Sequence, residues 1–413
     1  MQPARPAQPS SRIDTLDLIR GVAVLGILAV NIISFAAAPS ANYSPDLPHP
    51  GSAADHLAYP IMLVLFEGKM RALFSILFGA SLLLFVERAD AAGRDGEGLQ
   101  LHRLGWLAGF GLLHYLLLWH GDILFLYAVV GVAALFLRRA PPLALVASAL
   151  FLFSIWQGWN WFQWQPSLQA ETVVNAGAAT PQQAKTHADA LAYYRKDDAT
   201  ELAAIQSSWP GLVTHKLRDE WFMPLIALLF VSGESLTYFL FGMALFKTGL
   251  FTGDWPRIRT LGLALGGIGL GGLATGSFAL WAHQAHYPET AMRFAISYGL
   301  SFAHLATALG YAALLVLLTP RLIATWLGKR IAAAGRMAFS NYIATSLVMT
   351  ALFYSWGLGL AGRYGHAELA GFVALGWALM LGWSQPWLAR FRQGPLEWLW
   401  RSLTEWRVLP LRR

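Results

Sequence analysis

The chain has 413 residues, of which 56% are hydrophobic and only 13% are charged, and it carries 18 tryptophans. This composition excludes an ordinary soluble domain and is typical of a polytopic membrane protein. With no cysteine in the sequence, disulfides, thiolate metal sites and cysteine nucleophiles are excluded as well. The formal net charge of +7 does not indicate a nucleic-acid partner, because the basic residues lie between the apolar segments.

Ten apolar segments approach the length of about 20 residues that a helix needs to cross about 30 Å of hydrocarbon. We predict transmembrane helices at residues 21–38, 57–85, 104–119, 123–137, 143–159, 221–246, 261–281, 295–318, 337–360 and 367–388. The third and fourth are short and are joined by the tripeptide HGD, which predicts a tight helical hairpin. The predicted fold class is all-α, a polytopic integral membrane helix bundle surrounded by the lipid bilayer.

Lysine and arginine predict the orientation of this bundle. If the N-terminus is placed in the cytoplasm, the inner segments collect most of the basic residues, whereas the short outer loops hold only Arg293 and Arg363. Because positively charged loops stay on the cytoplasmic side, both termini are predicted to be cytoplasmic.

The spans divide the chain into five predicted parts. They are a cytoplasmic tail (1–15), a first five-helix region (16–159), a polar outer segment (160–220), a second five-helix region (221–389) and a basic, Trp-rich cytoplasmic tail (390–413). The outer segment shows helical spacing of Ala, Leu and Tyr, so it is either an amphipathic helix on the outer surface or over a cavity, or a linker. The last tail interleaves Trp and Arg, as an interfacial helix would.

Polar residues inside the spans provide the functional argument, because ionisable groups at such depth are costly and are usually paired or functional. Counting about 1.5 Å per residue, most of them lie between the middle of the membrane and its outer face, which predicts a polar cavity open to the outside. Two of them, Glu234 and Asn341, lie nearer the cytoplasm. The candidate residues are Asn31, Glu67, Lys69, Arg71, His114, His120, Asp122, Glu234, His304 and Asn341.

Each candidate also has a structural alternative. Glu67 could form a paired cluster with Lys69 or Arg71, or these side chains could extend to the interface. His114 could be a packing histidine bonded to a carbonyl group. Asp122 could serve only as the N-cap of the next helix.

Five motifs in a fixed order resemble a known family. They are RIDTLDLIRGVAVLGILAVN, FEGKMRALFSILFGA, GLLHYLLLWHGDILFLYAVVG, LFGMALFKTGLF and AAAGRMAFSNYIATSLVMTALFYSWGLGL. Together they resemble the YeiB family of multi-pass proteins of the bacterial inner (cytoplasmic) membrane, whose C-terminal half is a domain of unknown function. Through its R…LDxxRG…VN signature this family is similar to a superfamily of transmembrane acyltransferases that includes heparan-alpha-glucosaminide N-acetyltransferase.

The superfamily implies transfer of an acyl group from a cytoplasmic donor, acetyl-CoA or another acyl-CoA, to a small-molecule or glycan acceptor on the far side. On this resemblance Arg12 and Arg20 are assigned to the donor, because arginine binds phosphate oxygens well. Asn31 matches an active-site asparagine. The sequence departs from that relative at Asn42, where the relative has its catalytic histidine eleven residues after the asparagine.

A general base must then come from another position. His114 or His120 is able to take a proton from an acceptor hydroxyl or amine near neutral pH. Asp122 could orient that histidine, and Arg71 or Lys69 could stabilise the developing oxyanion. Substrate binding is assigned to Glu67, Lys69, Arg71, Glu234, His304 and Asn341.

Three functions from different classes remain open. The first is an acyltransferase with no permanently bound cofactor and no metal. The second is a transporter or exporter of a small organic solute, against which the sequence shows neither an internal repeat nor a pair of corresponding broken helices. The third is a non-catalytic membrane partner or sensor that uses the outer segment. Donor binding would separate the first from the others, and solute flux would separate the second from the third.

Overall fold

The structure is a computed structural model that describes the backbone of residues 9–413 and the side chains from residue 14 onward. In this part of the chain all regular elements are helices, as predicted, and one isolated bridge pairs Phe391 with Arg412. The first eight α-helices are α1 (Pro9–Ala36), α2 (Ala53–Leu65), α3 (Lys69–Ala91), α4 (Gly96–Leu117), α5 (Leu124–Phe136), α6 (Pro142–Asn175), α7 (Pro181–Gln206) and α8 (Trp209–Arg218). The next eight are α9 (Met223–Lys247), α10 (Arg257–Gln284), α11 (Glu289–Phe294), α12 (Ser301–Leu322), α13 (Trp326–Arg336), α14 (Ala338–Phe353), α15 (His366–Arg390) and α16 (Pro395–Thr404).

Seven segments of the described chain are long and apolar enough to cross a membrane, so the fold is that of a membrane protein. They are Asp14–Ala36, Ala53–Ala91, Pro142–Asn175, Met223–Lys247, Arg257–Gln284, Ser301–Leu322 and His366–Arg390. The other three predicted spans are helical but do not qualify. Helices α5 and α14 have only 13 and 16 residues, and α4 begins with the polar stretch GEGLQLHR.

The second predicted span is interrupted. Helix α2 ends at Leu65 and α3 begins at Lys69, and between them Gly68 has a φ of +70°. A Cβ atom at Gly68 would lie 2.0 Å from Nδ1 of His304, so only glycine fits here. A π-helical turn over Ala295–Gly299 interrupts the helix that leads into α12. The sequence shows no corresponding breaks, whereas the structure contains one in each half of the chain.

Close packing of α1 against α13 shapes the end of the bundle at which α1 begins, which we call the N-terminal face. A Cβ atom at Gly21 would lie 2.0 Å from the carbonyl oxygen of Ile331, and one at Gly335 would lie 1.8 Å from that of Asp17. The two backbones therefore touch, as small residues allow between membrane helices. This contact places Arg336 beside the first turns of α1.

Segment 160–220 covers the opposite face of the bundle. Helix α6 continues past its predicted end to Asn175, and α7 then folds back over the helix ends. On α7, Asp198 accepts a hydrogen bond from the Ser40 backbone N–H at 2.9 Å, and Arg195 pairs with Glu289 at 2.5 Å. Of the alternatives open at the sequence level, the described segment is therefore a helical cap rather than a linker.

The C-terminal helix α16 returns to the N-terminal face. The indole of Trp400 donates to the carbonyl oxygen of Arg103 at 2.8 Å. Glu405 accepts two hydrogen bonds from Arg94, at 2.9 and 3.0 Å. The tail thus forms a wall of the bundle instead of lying apart from it.

Candidate functional site

A cavity of about 410 Å³ lies at the N-terminal face, between helices from both halves of the chain. Six arginines and two carboxylates line it, and we call it the basic cavity. An excess of guanidinium groups in a partly enclosed space attracts anions, phosphates in particular. These charged residues are Asp17, Arg20, Arg88, Arg103, Arg336, Arg392, Glu397 and Arg401.

Arg20 lies at the wall of this cavity. Its guanidinium donates to Asp17 at 3.1 Å and to the hydroxyl of Ser81 at 2.9 Å, and a quarter of its side chain remains exposed. Asp17 and Arg20, three residues apart on α1, therefore form an ion pair, and Arg20 also lines the basic cavity. The other residue assigned to the donor, Arg12, has its side chain outside the described residues.

The inner end of the basic cavity is apolar and aromatic. The ring of Tyr342 lines it and lies 5.1 Å from the imidazole of His114, measured between ring centroids. The Tyr342 hydroxyl donates to the carbonyl oxygen of Gly121 at 3.2 Å, in the turn between α4 and α5. The basic cavity therefore reaches the HGD turn. The other residues at this end include Leu77, Phe78, Ile123, Leu124, Tyr127 and Phe339.

His114 and Asp122 form a buried pair at this turn. Nδ1 of His114 lies 2.9 Å from one carboxylate oxygen of Asp122, and the other oxygen accepts the Phe125 backbone N–H at 2.9 Å. Asp122 thus caps α5 and orients the histidine at the same time. The His114 side chain is 1% exposed, and its Nε2 has no hydrogen-bond partner among the described residues. A carboxylate at Nδ1 holds the proton there, which leaves the Nε2 lone pair free.

A second cavity, of about 220 Å³, lies on the other side of the turn under α7, and we call it the acidic cavity. His120 lines it and pairs with Glu201 of α7 at 3.3 Å. Burial alone would raise the pKa of Glu201, but the charge and hydrogen bond of His120, together with the charges of Lys216 and His215, outweigh burial, and the pKa falls to about 2. Burial raises the pKa of Asp197, which lies beside it. The polar lining residues are Tyr115, His120, Asp122, Asp197, Thr200, Glu201 and Glu220.

The two cavities approach the His114–Asp122 pair from opposite faces. Asp122 lines the acidic cavity, whereas the next residues, Ile123 and Leu124, line the basic one. Along α4, Arg103 lines the basic cavity and Tyr115 the acidic one, about 18 Å apart at 1.5 Å per residue. A partition that contains the pair therefore separates a cavity lined by arginines from one lined by carboxylates.

The charged residues near the break between α2 and α3 lie elsewhere, in what we call the buried charge cluster. Its members are Glu67, Lys69, Arg71, Glu234 and His304, and none of them lines either cavity. Arg71 pairs with Glu234 at 2.8 Å, and Lys69 donates to the carbonyl oxygen of Leu63 at 2.8 Å. The structure does not bring Glu67, Lys69, Arg71 and His304 into one cavity with the HGD turn, so this part of the prediction is wrong. Arg71 faces Glu234 of α9 instead, and His304 of α12 packs on Gly68.

The two asparagines fall outside both cavities. Asn341 donates to the carbonyl oxygen of Ala334 and the hydroxyl of Ser384, and accepts from Trp383, at 2.8 to 3.1 Å. With all its polar groups bonded to protein, it connects helices. Asn31 is half-buried, and its side chain makes no hydrogen bond within the described residues.

Several residues of the site were missed at the sequence level. Arg336, Arg392 and Arg401 were counted only as cytoplasmic charge, although the Arg and Trp pattern of the tail was visible. Asp197 and Glu201 lie in the outer segment with no signal that connects them to the HGD turn. Only the fold brings these groups to the two cavities.

Comparison with known proteins agrees with the motifs. A family model described as a protein of unknown function (DUF418) matches residues 245–407. The uncharacterized protein YxaH of Bacillus subtilis (strain 168) is 30% identical over 426 aligned residues, which cover 98% of this chain and 97% of YxaH. The uncharacterized protein YeiB of Escherichia coli (strain K12) is 29% identical, over 94% of this chain and 95% of YeiB. The chain belongs to the YeiB family.

No solved structure matches this YeiB-family chain significantly. The segment that matches DUF418 supplies Arg336, Glu397 and Arg401 to the basic cavity, whereas Arg20 and Arg103 precede that segment. The basic cavity is thus a joint product of both parts of the YeiB-family chain.

Proposed function

We propose that this YeiB-family protein is a membrane-embedded acyltransferase. It moves an acyl group, acetyl in the simplest case, from an acyl-CoA donor in the basic cavity to an acceptor in the acidic cavity. The observation that carries this proposal is the buried His114–Asp122 pair in the partition between the two cavities, where Nε2 of His114 has no hydrogen-bond partner among the described residues.

In this proposal both termini are cytoplasmic and the protein lies in the inner membrane of a bacterium. The concentration of arginines at the N-terminal face supports this orientation, because basic residues favour the cytoplasmic side. The basic cavity then faces the cytoplasm, where acyl-CoA is available. The acceptor, a small molecule or a glycan, enters from the opposite side beneath α7.

The shape of the basic cavity supports a long donor. Arginines surround its mouth, whereas apolar and aromatic side chains line its inner end. Arg103 precedes His114 by eleven residues on α4, which corresponds to about 16 Å. A donor must therefore join an anionic group to a reactive carbonyl through an extended arm, as the phosphates and pantetheine arm of acyl-CoA do. An acyl phosphate is too short.

The chemistry needs one base that later acts as an acid. Nε2 of His114 takes the proton from the acceptor hydroxyl or amine while the acceptor oxygen or nitrogen attacks the thioester carbonyl carbon. The carbon–sulfur bond then breaks, and the imidazolium returns the proton to the departing thiolate. Asp122 holds the imidazole in the required tautomer and stabilises its charged form. His120 faces the acidic cavity beside Glu201 and is placed to contact the acceptor.

Donor binding is the first test. Purified wild-type protein should show a saturable rise in melting temperature with acetyl-CoA and with free CoA, because a ligand of the folded state stabilises it. Arg20→Ala should weaken this shift, whereas His114→Ala should retain it. Arg139→Ala is a matched control, since Arg139 is exposed and lies outside the lining of the basic cavity. A well-folded wild type without a shift would exclude the CoA-dependent mechanism.

The interrupted helices favour a second candidate, a transporter or exporter of a small organic solute. Broken helices near the middle of the membrane are common at transporter binding sites. Here the break at Gly68 packs against His304 of α12, the helix that follows the π-helical turn. Solute uptake by proteoliposomes, lost in Glu234→Gln and retained in His114→Ala, would support transport. Acyl transfer that is lost in His114→Ala and retained in Glu234→Gln would support the acyltransferase.

A further inference from the structure

The N-terminus of α14 opens into the basic cavity. Met337, at the N-cap, makes no side-chain cap to this 16-residue helix. The first backbone N–H groups of a helix lack partners within it and attract anions. Here the N–H groups of Phe339 and Ser340 donate to one carboxylate oxygen of Glu397, at 2.8 and 3.1 Å, and the Ser340 hydroxyl donates to the other at 2.5 Å.

Glu397 comes from the tail, on α16, and it sits on this helix end as an anion would. Although it shares the basic cavity with six arginines, it makes no ion pair in the described part of the chain. Burial raises the pKa of Glu397, against the hydrogen bonds of Ser340 that lower it. Its charged form is therefore costly in this position, where no described arginine forms an ion pair with it.

The guanidinium groups next to this helix end bind neutral atoms. Arg401 donates to the side-chain oxygen of Gln393 at 3.0 Å, and Arg336 to the carbonyl oxygen of Arg392 at 3.4 Å. Arg103 lies between two aromatic rings, and its buried Nε has no partner among the described residues. These guanidinium groups form no ion pair with a described carboxylate, so they are available to an incoming anion.

We propose that the N-terminus of α14 is a binding site for a phosphate ester, that Glu397 competes for this site, and that the phosphate of the ligand displaces the carboxylate and releases α16 from the basic cavity. The inference rests on the anion-binding part of the proposed function and does not depend on acyl transfer. A phosphate offers three strong acceptor oxygens and more charge than a carboxylate, so it can bond the same three donors and also reach the arginines.

Release of Glu397 has a consequence for the tail. Trp400, which covers Arg103, lies on the same helix as Glu397 and moves with it. Glu405 at the end of the helix stays bound to Arg94 outside the cavity. The tail would therefore open at one end, and the same ligand that binds in the cavity would enlarge its mouth.

Hydrogen exchange of residues 395–404 tests the displacement, with inorganic pyrophosphate as the probe. In wild-type protein, pyrophosphate should increase exchange in α16 in a saturable manner, whereas sodium chloride at equal ionic strength should not. Pyrophosphate that binds without raising this exchange would overturn the inference, and so would an absence of pyrophosphate binding. This measurement needs no variant.

Two variants separate competition by the anion from loosening of the tail. Glu397→Gln should bind pyrophosphate about tenfold more tightly, as expected when a competing charge-assisted hydrogen bond is removed. Glu405→Gln loosens the same helix at the Arg94 contact and should leave pyrophosphate affinity unchanged. Equal gains in both variants would overturn the inference. If the protein shows the predicted displacement but transfers no acyl group, the phosphate-ester site would be supported and the proposed acyltransferase function would be rejected.

Discussion

The His114–Asp122 pair and the buried charge cluster are alike in chemistry but differ in access. Both contain a buried histidine with at least one ring nitrogen that has no hydrogen-bond partner among the described residues, and both lie within the helix bundle. Asp122 of the pair lines the acidic cavity, and its neighbours Ile123 and Leu124 line the basic cavity. No member of the cluster lines either cavity, and Arg71 pairs there with Glu234. Depth along a predicted span therefore does not tell whether a cavity reaches a buried polar group.

The largest expected effect is on acyl transfer in His114→Ala. Loss of a general base should lower the rate by about 10²- to 10⁴-fold, while the melting temperature still rises with CoA. A transfer assay with purified protein and acetyl-CoA measures this. His304→Ala is the matched control from the cluster, and its transfer rate should stay within about threefold of wild type at temperatures where it is folded. Equal losses in both variants would remove the distinction between the two regions.

Glu234→Ala should lower the stability of the folded protein. It leaves Arg71 buried without its carboxylate and removes the acceptor of the Tyr238 hydroxyl, so unfolding should become easier by about 3–5 kcal/mol. Chemical denaturation in detergent measures the loss. The double variant with Arg71→Ala should recover part of it, because the uncompensated charge is gone. Unchanged stability in Glu234→Ala would mean that the ion pair does not hold the cluster together.

Asp122→Asn tests the second member of the His114–Asp122 pair. An asparagine can still accept the Phe125 N–H and cap α5, but it no longer enforces the proton on Nδ1 of His114. Transfer should fall by about a hundredfold with little change in stability. A large loss of melting temperature would instead assign Asp122 mainly to helix capping.

The smallest effect concerns the rim of the acidic cavity. The pKa of Glu201 is about 2, below its ordinary value of 4.5, so its contribution to stability is present above pH 4.5 and is lost as the pH falls toward 2. Relative to Glu201→Gln, wild type should be more stable by about 2 kcal/mol at pH 6. This difference should shrink as the pH falls below 4.5. Unfolding curves of both proteins from pH 6 to pH 3 measure it.

Local patterns predicted much of this molecule. Apolar segments located the helices, and the HGD turn placed His114 and Asp122 at one hairpin, because eight residues across a tight turn bring side chains together. The sequence did not predict contacts between residues that lie far apart along the chain. Ser340 and Glu397 are 57 residues apart, and Arg103 and Trp400 are 297 apart, with no local signal for either contact.

The break at Gly68 illustrates the same limit. One glycine in an apolar run predicts little, and the ring of His304, which leaves no room for a side chain at this position, comes from a distant helix. Without that neighbour, the polar residues on both sides of the break were assigned to a common cavity. Which helices are adjacent decides whether a buried charge meets a ligand or another charge.

Helix α6, with its 34 residues, spans about 51 Å at 1.5 Å per residue, whereas the hydrocarbon is about 30 Å thick. About 20 Å of this helix is thus longer than the bilayer requires and projects past it. Glu171 holds this projecting part in place by accepting the N–H groups of Thr290 and Ala291, both at 2.8 Å. At its end Gly177 has open space around it. A marker protein fused there would give electron cryomicroscopy a rigid fiducial for aligning images of a 45.3 kDa membrane protein.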